Sequence, residues 1–89
     1  MENGTTELLE ELQTIADAFY QNQIKTGIEK LPDLVRKLSD FVSHLQPEQQ
    51  PEFLKILEGV MEAMEIKNYI MLADMLVFDV METIEGYQV

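Results

Sequence analysis

Cysteine is absent from the 89 residues, histidine occurs once, at His44, and only four glycines and three prolines punctuate the chain. Without cysteine there is no disulfide framework, no thiolate metal site and no cysteine nucleophile. A single histidine excludes a histidine-rich metal cage within one chain. No run free of charged residues exceeds seven, whereas a membrane-spanning helix needs about 20 apolar residues. No membrane insertion is expected. The N-terminus has neither the basic start nor the apolar block of a signal peptide, which places the expected protein in the cytoplasm. No β-alternating run with a tight hairpin signal occurs either.

Positive charge is the other scarcity. Six Lys and Arg stand against 17 Asp and Glu, for a net charge of −11. Residues 1–22 carry Glu2, Glu7, Glu10, Glu11 and Asp17 with no base, and residues 68–89 carry four carboxylates with no base. Only residues 23–46, with Lys25, Lys30, Arg36 and Lys37, are slightly positive. Nucleic acid binding needs a cationic surface that displaces phosphate counterions, so neither nucleic acid nor an anionic membrane surface is an expected partner. Basic proteins and peptides remain allowed.

What the chain does have is helical spacing. With 46% hydrophobic and 26% charged residues, it has the balance of one small globular domain over residues 1–89. The periodicity predicts an all-α antiparallel bundle of four helices at about 6–22, 26–45, 51–65 and 69–85. In the first, Leu8, Leu12, Ile15 and Phe19 form the apolar stripe, widened by Leu9 and Ala16, with Thr5 or Thr6 as N-cap. In the second, Thr26 and Glu29 have capping-box spacing, and Ile28, Leu31, Val35, Leu38, Val42 and Leu45 make the stripe, supported by Leu34 and Phe41. Pro32 lies inside that pattern and predicts a kink or restart. Alternatively the first helix runs on to about residue 30 and Pro32 opens the next.

Gln46-Pro47-Glu48-Gln49-Gln50-Pro51 is the one evident linker. Phe53, Leu57, Val60 and Met64 then stripe the third helix, with Leu54 and Met61 beside them. Asn68 suits the N-cap of the fourth, and Gly86 suits its end. Ile66-Lys67-Asn68 holds neither Gly nor Pro, so one helix over 51–85, and hence a three-helix bundle, competes.

Acid–base groups are numerous but unfocused. Glu62 and Glu65, like Glu82 and Glu85, share a helix face at i, i+3, yet neither Glu62 nor Glu82 has the histidine three residues on that a di-iron bundle requires. No calcium-binding loop, phosphate-binding glycine loop or nucleophile elbow is present. His44 follows Asp40 by four residues without a nucleophile or second base. Tyr20, Tyr69 and Tyr87 read as packing residues at the bundle edge. No catalytic residue, metal or cofactor is expected.

The fourth helix is the informative one. Tyr69, Ala73, Leu76, Val77, Val80 and Ile84 fall on one apolar face at about 100° per residue. Met71, Met75 and Phe78 form a second stripe on nearly the opposite side. A helix apolar on both sides is either central in the core or has a partner on its outer face. Methionine adapts its shape to an incoming helix.

The segment Lys67-Asn68-Tyr69-Ile70-Met71-Leu72-Ala73-Asp74-Met75-Leu76-Val77-Phe78-Asp79 resembles the C-terminal signature, roughly D-Y-x-L-L-A-D-x-L-E-Y-E, of short acidic bacterial helical-bundle proteins of unknown function. Phe19-Tyr20 and Gly27-Ile28-Glu29-Lys30-Leu31 resemble the middle region of that family. Asn68, Val77 and Phe78 replace acidic or tyrosine positions and make this helix more apolar. The resemblance implies a cytosolic bacterial helical protein and no reaction.

The expected function is that of a non-enzymatic protein–protein interaction module, an adaptor or export-chaperone-like protein, binding through Met71, Met75 and Phe78. A structural homodimer with a self-complementary stripe is the alternative.

Overall fold

The chain turns sharply three times, and each turn returns the next helix alongside the last. In the computed structural model, which describes residues 3–87, α1 spans Asn3–Tyr20, α2 Ile24–Ser43 and α3 Gln50–Glu65. A fourth rod follows, made of three abutting pieces: α4 (Tyr69–Asp74), a π-helical segment (Met75–Met81) and α5 (Glu82–Gly86). There is no strand among the described residues. α1 packs against α2 and the fourth rod, and α3 packs against the fourth rod and α2. The fourth rod therefore closes the ring of an all-α bundle.

Two of the turns are built alike. At the end of α1 the Gln23 N–H donates to the Ala18 carbonyl at 2.7 Å and the Asn22 N–H to the Phe19 carbonyl at 3.1 Å. At the end of α3 the Asn68 N–H donates to the Ala63 carbonyl and the Lys67 N–H to the Met64 carbonyl, both at 3.1 Å. Each is the paired bonding of a Schellman motif, which requires a left-handed residue. That residue is Asn22 (φ 63°) in one and Lys67 (φ 59°) in the other. Asn68 then caps the fourth rod, its side chain accepting from the Met71 N–H at 3.1 Å. The turn at Asn22 rules out a first helix reaching residue 30, and the turn at Lys67 rules out one helix over 51–85.

The remaining boundaries shift for identifiable reasons. α1 begins at Asn3, so Thr5 and Thr6 lie inside it and are not N-caps. α2 begins at Ile24 with no side-chain cap, which places Thr26 and Glu29 within the helix instead of in a capping box. Pro32 causes no restart, because α2 is one element through it. Pro32 and Ile28 are both exposed, so proline's missing backbone donor falls on the solvent side of α2. Gly86 ends α5 without a left-handed φ.

The core is one cluster fed by every element, and no polar residue is buried among those described. Leu8, Leu12, Ile15, Ala16 and Phe19 supply it from α1, and Leu31, Leu34, Leu38 and Val42 from α2. Phe53, Val60 and Ala63 supply it from α3, and Leu72, Ala73, Leu76, Val80 and Ile84 from the fourth rod. Leu54, Met61 and Ile28 do not join it and are exposed.

A lysine in the left-handed region costs roughly 1–2 kcal/mol relative to its usual conformations, a cost that glycine lacks. Lys67→Gly is therefore expected to raise stability by about 0.5–1 kcal/mol after glycine's greater unfolded-state entropy is deducted. A chemical-denaturation curve checks this, and the midpoint should move with no change in its slope.

Candidate functional site

The fourth rod has a spacing that an ordinary α-helix cannot keep on one face. Leu72, Leu76, Val80 and Ile84 recur every four residues and each is fully buried. At 3.6 residues per turn, every fourth residue drifts by about 40°, so a straight α-helix would swing Ile84 well away from Leu72. The wider turn of the π segment absorbs that drift. All four side chains then point into the bundle.

The same correction aligns the outer side. Ile70, Asp74, Phe78 and Glu82, again four apart, are all exposed. Ile70 is 53% and Phe78 58% exposed, the latter in the middle of the π segment. Ile66, the C-cap of α3 on the other side of the Lys67 turn, is 60% exposed. Ile66, Ile70 and Ile24 line an open groove with Phe19, Tyr69 and the two left-handed residues Asn22 and Lys67. The outer face thus presents an apolar strip from Ile66 to Phe78, interrupted by Asp74 and ended by Glu82.

Tyr20 of α1 borders this strip. Its hydroxyl donates to Asp74 Oδ1, and its ring is 43% exposed. The hydrogen bond to Asp74, then burial, then the charges of Asp74 and Asp17 push its pKa up to about 12. A hydroxyl whose folded pKa lies above its unfolded value of about 10 contributes stability that is intact below pH 10 and lost as the pH rises towards 12. Subtracting the phenolate absorbance titration of Tyr20→Phe from that of wild type should isolate a transition near pH 12. One near pH 10 would show that the bond to Asp74 does not hold in solution.

Of Met71, Met75 and Phe78, the three residues expected to bind a partner, only Phe78 opens to solvent. Met71 and Met75 are half-buried and pack against the core. The Met75 methyl fills the space where a side chain on Gly59 of α3 would stand. The second apolar stripe is therefore split: its methionines seal the seam with the bundle, and its phenylalanine faces out. Leu72, not placed on the inner face by the 100° wheel, is fully buried. Ile66, Ile70 and Tyr20 are the surface residues that periodicity missed. The exact recurrence of apolar residues at 72, 76, 80 and 84 was the available signal.

The other candidates separate in space. His44 Nδ1 lies 2.9 Å from the Asp40 backbone oxygen, not against its carboxylate, and 3.3 Å from Ser43 Oγ. Glu62, Glu65, Glu82 and Glu85 are all exposed, and no metal-binding group of three ligands forms among the described residues. Tyr87 is tied to the start of α3, its hydroxyl donating to Glu52 Oε1 at 3.1 Å. Burial, then that bond, raises its pKa. Between α1 and α2, Lys37 Nζ bridges Glu11 Oε1 at 2.6 Å and Asp33 Oδ2 at 3.4 Å, with Arg36 also on Asp33. Burial opposes ionisation of Asp33, but the bonds from Lys37 and Arg36 outweigh it and hold its pKa below the ordinary value. The Glu11 bond likewise raises Lys37. This is a clasp between helices with no reactive group beside it.

A family model described as a domain of unknown function (DUF8042) matches residues 2–88, and the chain belongs to that family. No curated protein and no solved structure matches the chain. No helix among the described residues is long and apolar enough to cross a membrane.

Proposed function

We propose that this protein is a non-enzymatic interaction module, an adaptor or export-chaperone-like protein of the bacterial cytosol, that holds a helix of a partner protein on the outer face of its fourth rod. The observation that carries this reading is Phe78. A large aromatic ring is 58% exposed at the centre of a π segment, a distortion that concentrates at functional sites. It stands two turns from Ile70 on the same exposed face, so two apolar side chains are available along the rod to the apolar face of a docked helix. The half-buried Met71 and Met75 on the same rod can adjust their packing when that face is covered.

Phe78→Lys tests the reading. The side chain is already exposed, so the variant should keep its helical circular dichroism. Crosslinking in the native cell, followed by purification and mass spectrometry, should recover with wild type a partner that is lost with Phe78→Lys. Equal recovery with both proteins would overturn the reading. Dimers in sedimentation velocity that dissolve in Phe78→Lys, with no captured partner, would replace it with the homodimer.

A further inference from the structure

We infer that the occupant of this face is a cationic amphipathic helix of another protein, about three to four turns long, whose apolar side rests on Ile70 and Phe78 and whose Lys and Arg side chains meet Asp74, Asp79 and Glu82. The inference rests on the reading of the outer face given above and adds the partner's chemistry.

Three observations converge on it. First, residues 68–89 hold Asp74, Asp79, Glu82 and Glu85 and no Lys or Arg. All four carboxylate residues are exposed on the fourth rod. Among the described residues, the ion pairs involve only Glu11, Asp33, Arg36 and Lys37, between α1 and α2. Among the described residues no ion pair involves a carboxylate of the fourth rod, Lys67 stands only at its start, and Asp17 of α1 adds to the negative field at Tyr20. Second, the carboxylates are interleaved with the apolar anchors. Asp74 lies between Ile70 and Phe78 in the every-fourth-residue row, and Glu82 follows Phe78. An apolar anchor ringed by one sign of charge selects a partner with the opposite sign at its flanks and rejects partners of like sign. Third, a second copy of this chain is a poor occupant. It would bring a net −11 against −11, and in a two-fold contact the same carboxylates would face one another. From Ile70 to Glu82 the row runs about 18 Å at the usual helical rise, which sets the length of the partner helix.

The test uses the intact chain and three fluorescent 18-residue peptides. One is an amphipathic Leu/Lys/Ala helix, one is the same composition scrambled so that no apolar face forms, and one has Glu in place of Lys. In fluorescence anisotropy at physiological salt, the Leu/Lys/Ala helix should bind and the scrambled peptide should bind about tenfold more weakly or worse. The Glu peptide should not bind. Phe78→Ser should weaken the Leu/Lys/Ala complex by a similar factor, and Glu82→Lys should weaken it and flatten its salt dependence. Glu29→Lys, the same charge change on α2, should leave it unchanged. Circular dichroism of each variant confirms the fold before binding is read. Equal binding of the scrambled peptide, or equal weakening by Glu29→Lys, would show only the general acidity of the chain and overturn the inference. If no Lys peptide binds while Phe78→Lys still loses its partner in the cell, the face stands as a docking site and its cationic occupant does not.

Discussion

Gly27→Ala is expected to destabilise the protein by about 1–3 kcal/mol, although alanine is the better helix former by about 1 kcal/mol. Gly27 is buried in α2, and a Cβ built there would stand 2.6 Å from Phe19 Cε1 and 2.7 Å from Cζ. Real side chains do not approach so closely, so either the ring or the helix must move. The ring has no free direction. It is almost fully buried, and on another side it stacks on Tyr69, with centroids 5.4 Å apart and planes 15° from parallel. Strain therefore passes into the contacts of α1 with both α2 and the fourth rod. For a chain of this size each kcal/mol moves the thermal midpoint by about 4–8 °C, so differential scanning calorimetry reads the effect directly. Gly59→Ala is the control. Its Cβ would meet only the terminal methyl of Met75, at 2.6 Å, and a half-buried methionine can swing that methyl aside. The helix-propensity gain should then prevail, and Gly59→Ala should melt at or above the wild-type temperature. Equal losses at both positions would mean that backbone effects, not the Phe19 ring, set the cost.

Phe53→Ala should have the largest effect of any single truncation considered, a loss of about 3–5 kcal/mol. The Phe53 ring is wholly inaccessible. It meets Phe41 of α2 with centroids 5.4 Å apart and Tyr87, beyond α5, at 6.2 Å. Removing it leaves a cavity where three segments distant in sequence converge. Phe41 and Tyr87 also lose a geometry-dependent aromatic contact each, beyond the area they bury. Small domains retain only about 5–15 kcal/mol in total, so the variant should unfold at far lower urea concentration. A wild-type-like urea midpoint would mean that the cluster collapses to refill the space.

These two sites show which parts of the fold were legible in the sequence. The stripe Leu8, Leu12, Ile15, Phe19 and the stripe Leu31, Leu38, Val42 follow helical spacing, and the structure buries each of these residues. A period can be read because core burial acts on every turn of a helix. Boundaries rest on one or two residues, and there this chain withholds the usual marks. Two Schellman turns use asparagine and lysine where glycine would announce the stop. Two threonine-based caps suggested by spacing lie inside helices, because the chain begins each helix two or three residues earlier. The glycine that matters most, Gly27, reads as a weak spot within a helix, since its reason is a ring on a neighbouring helix. Phe78 was legible as a residue facing away from the core. Its methionine companions were not legible as seam residues, because the 100° wheel assumes a regular helix and the π segment breaks that assumption.

The π segment also has a meaning in chain length. A wide turn of this kind holds one residue more than the α-helix needs to cover the same rise. Were a single outward residue such as Asp79 deleted, the buried row at 72, 76, 80 and 84 would become a row spaced four, three and four, the ordinary stripe of a regular amphipathic helix. The inner face would keep its partners and Phe78 would still face away from them, while the outer row at 70, 74, 78 and 82 would become one spaced four, four and three. The core therefore does not require the surplus residue. Its consequence falls on the surface, where a one-residue difference in length decides whether Glu82 continues the row of Ile70, Asp74 and Phe78.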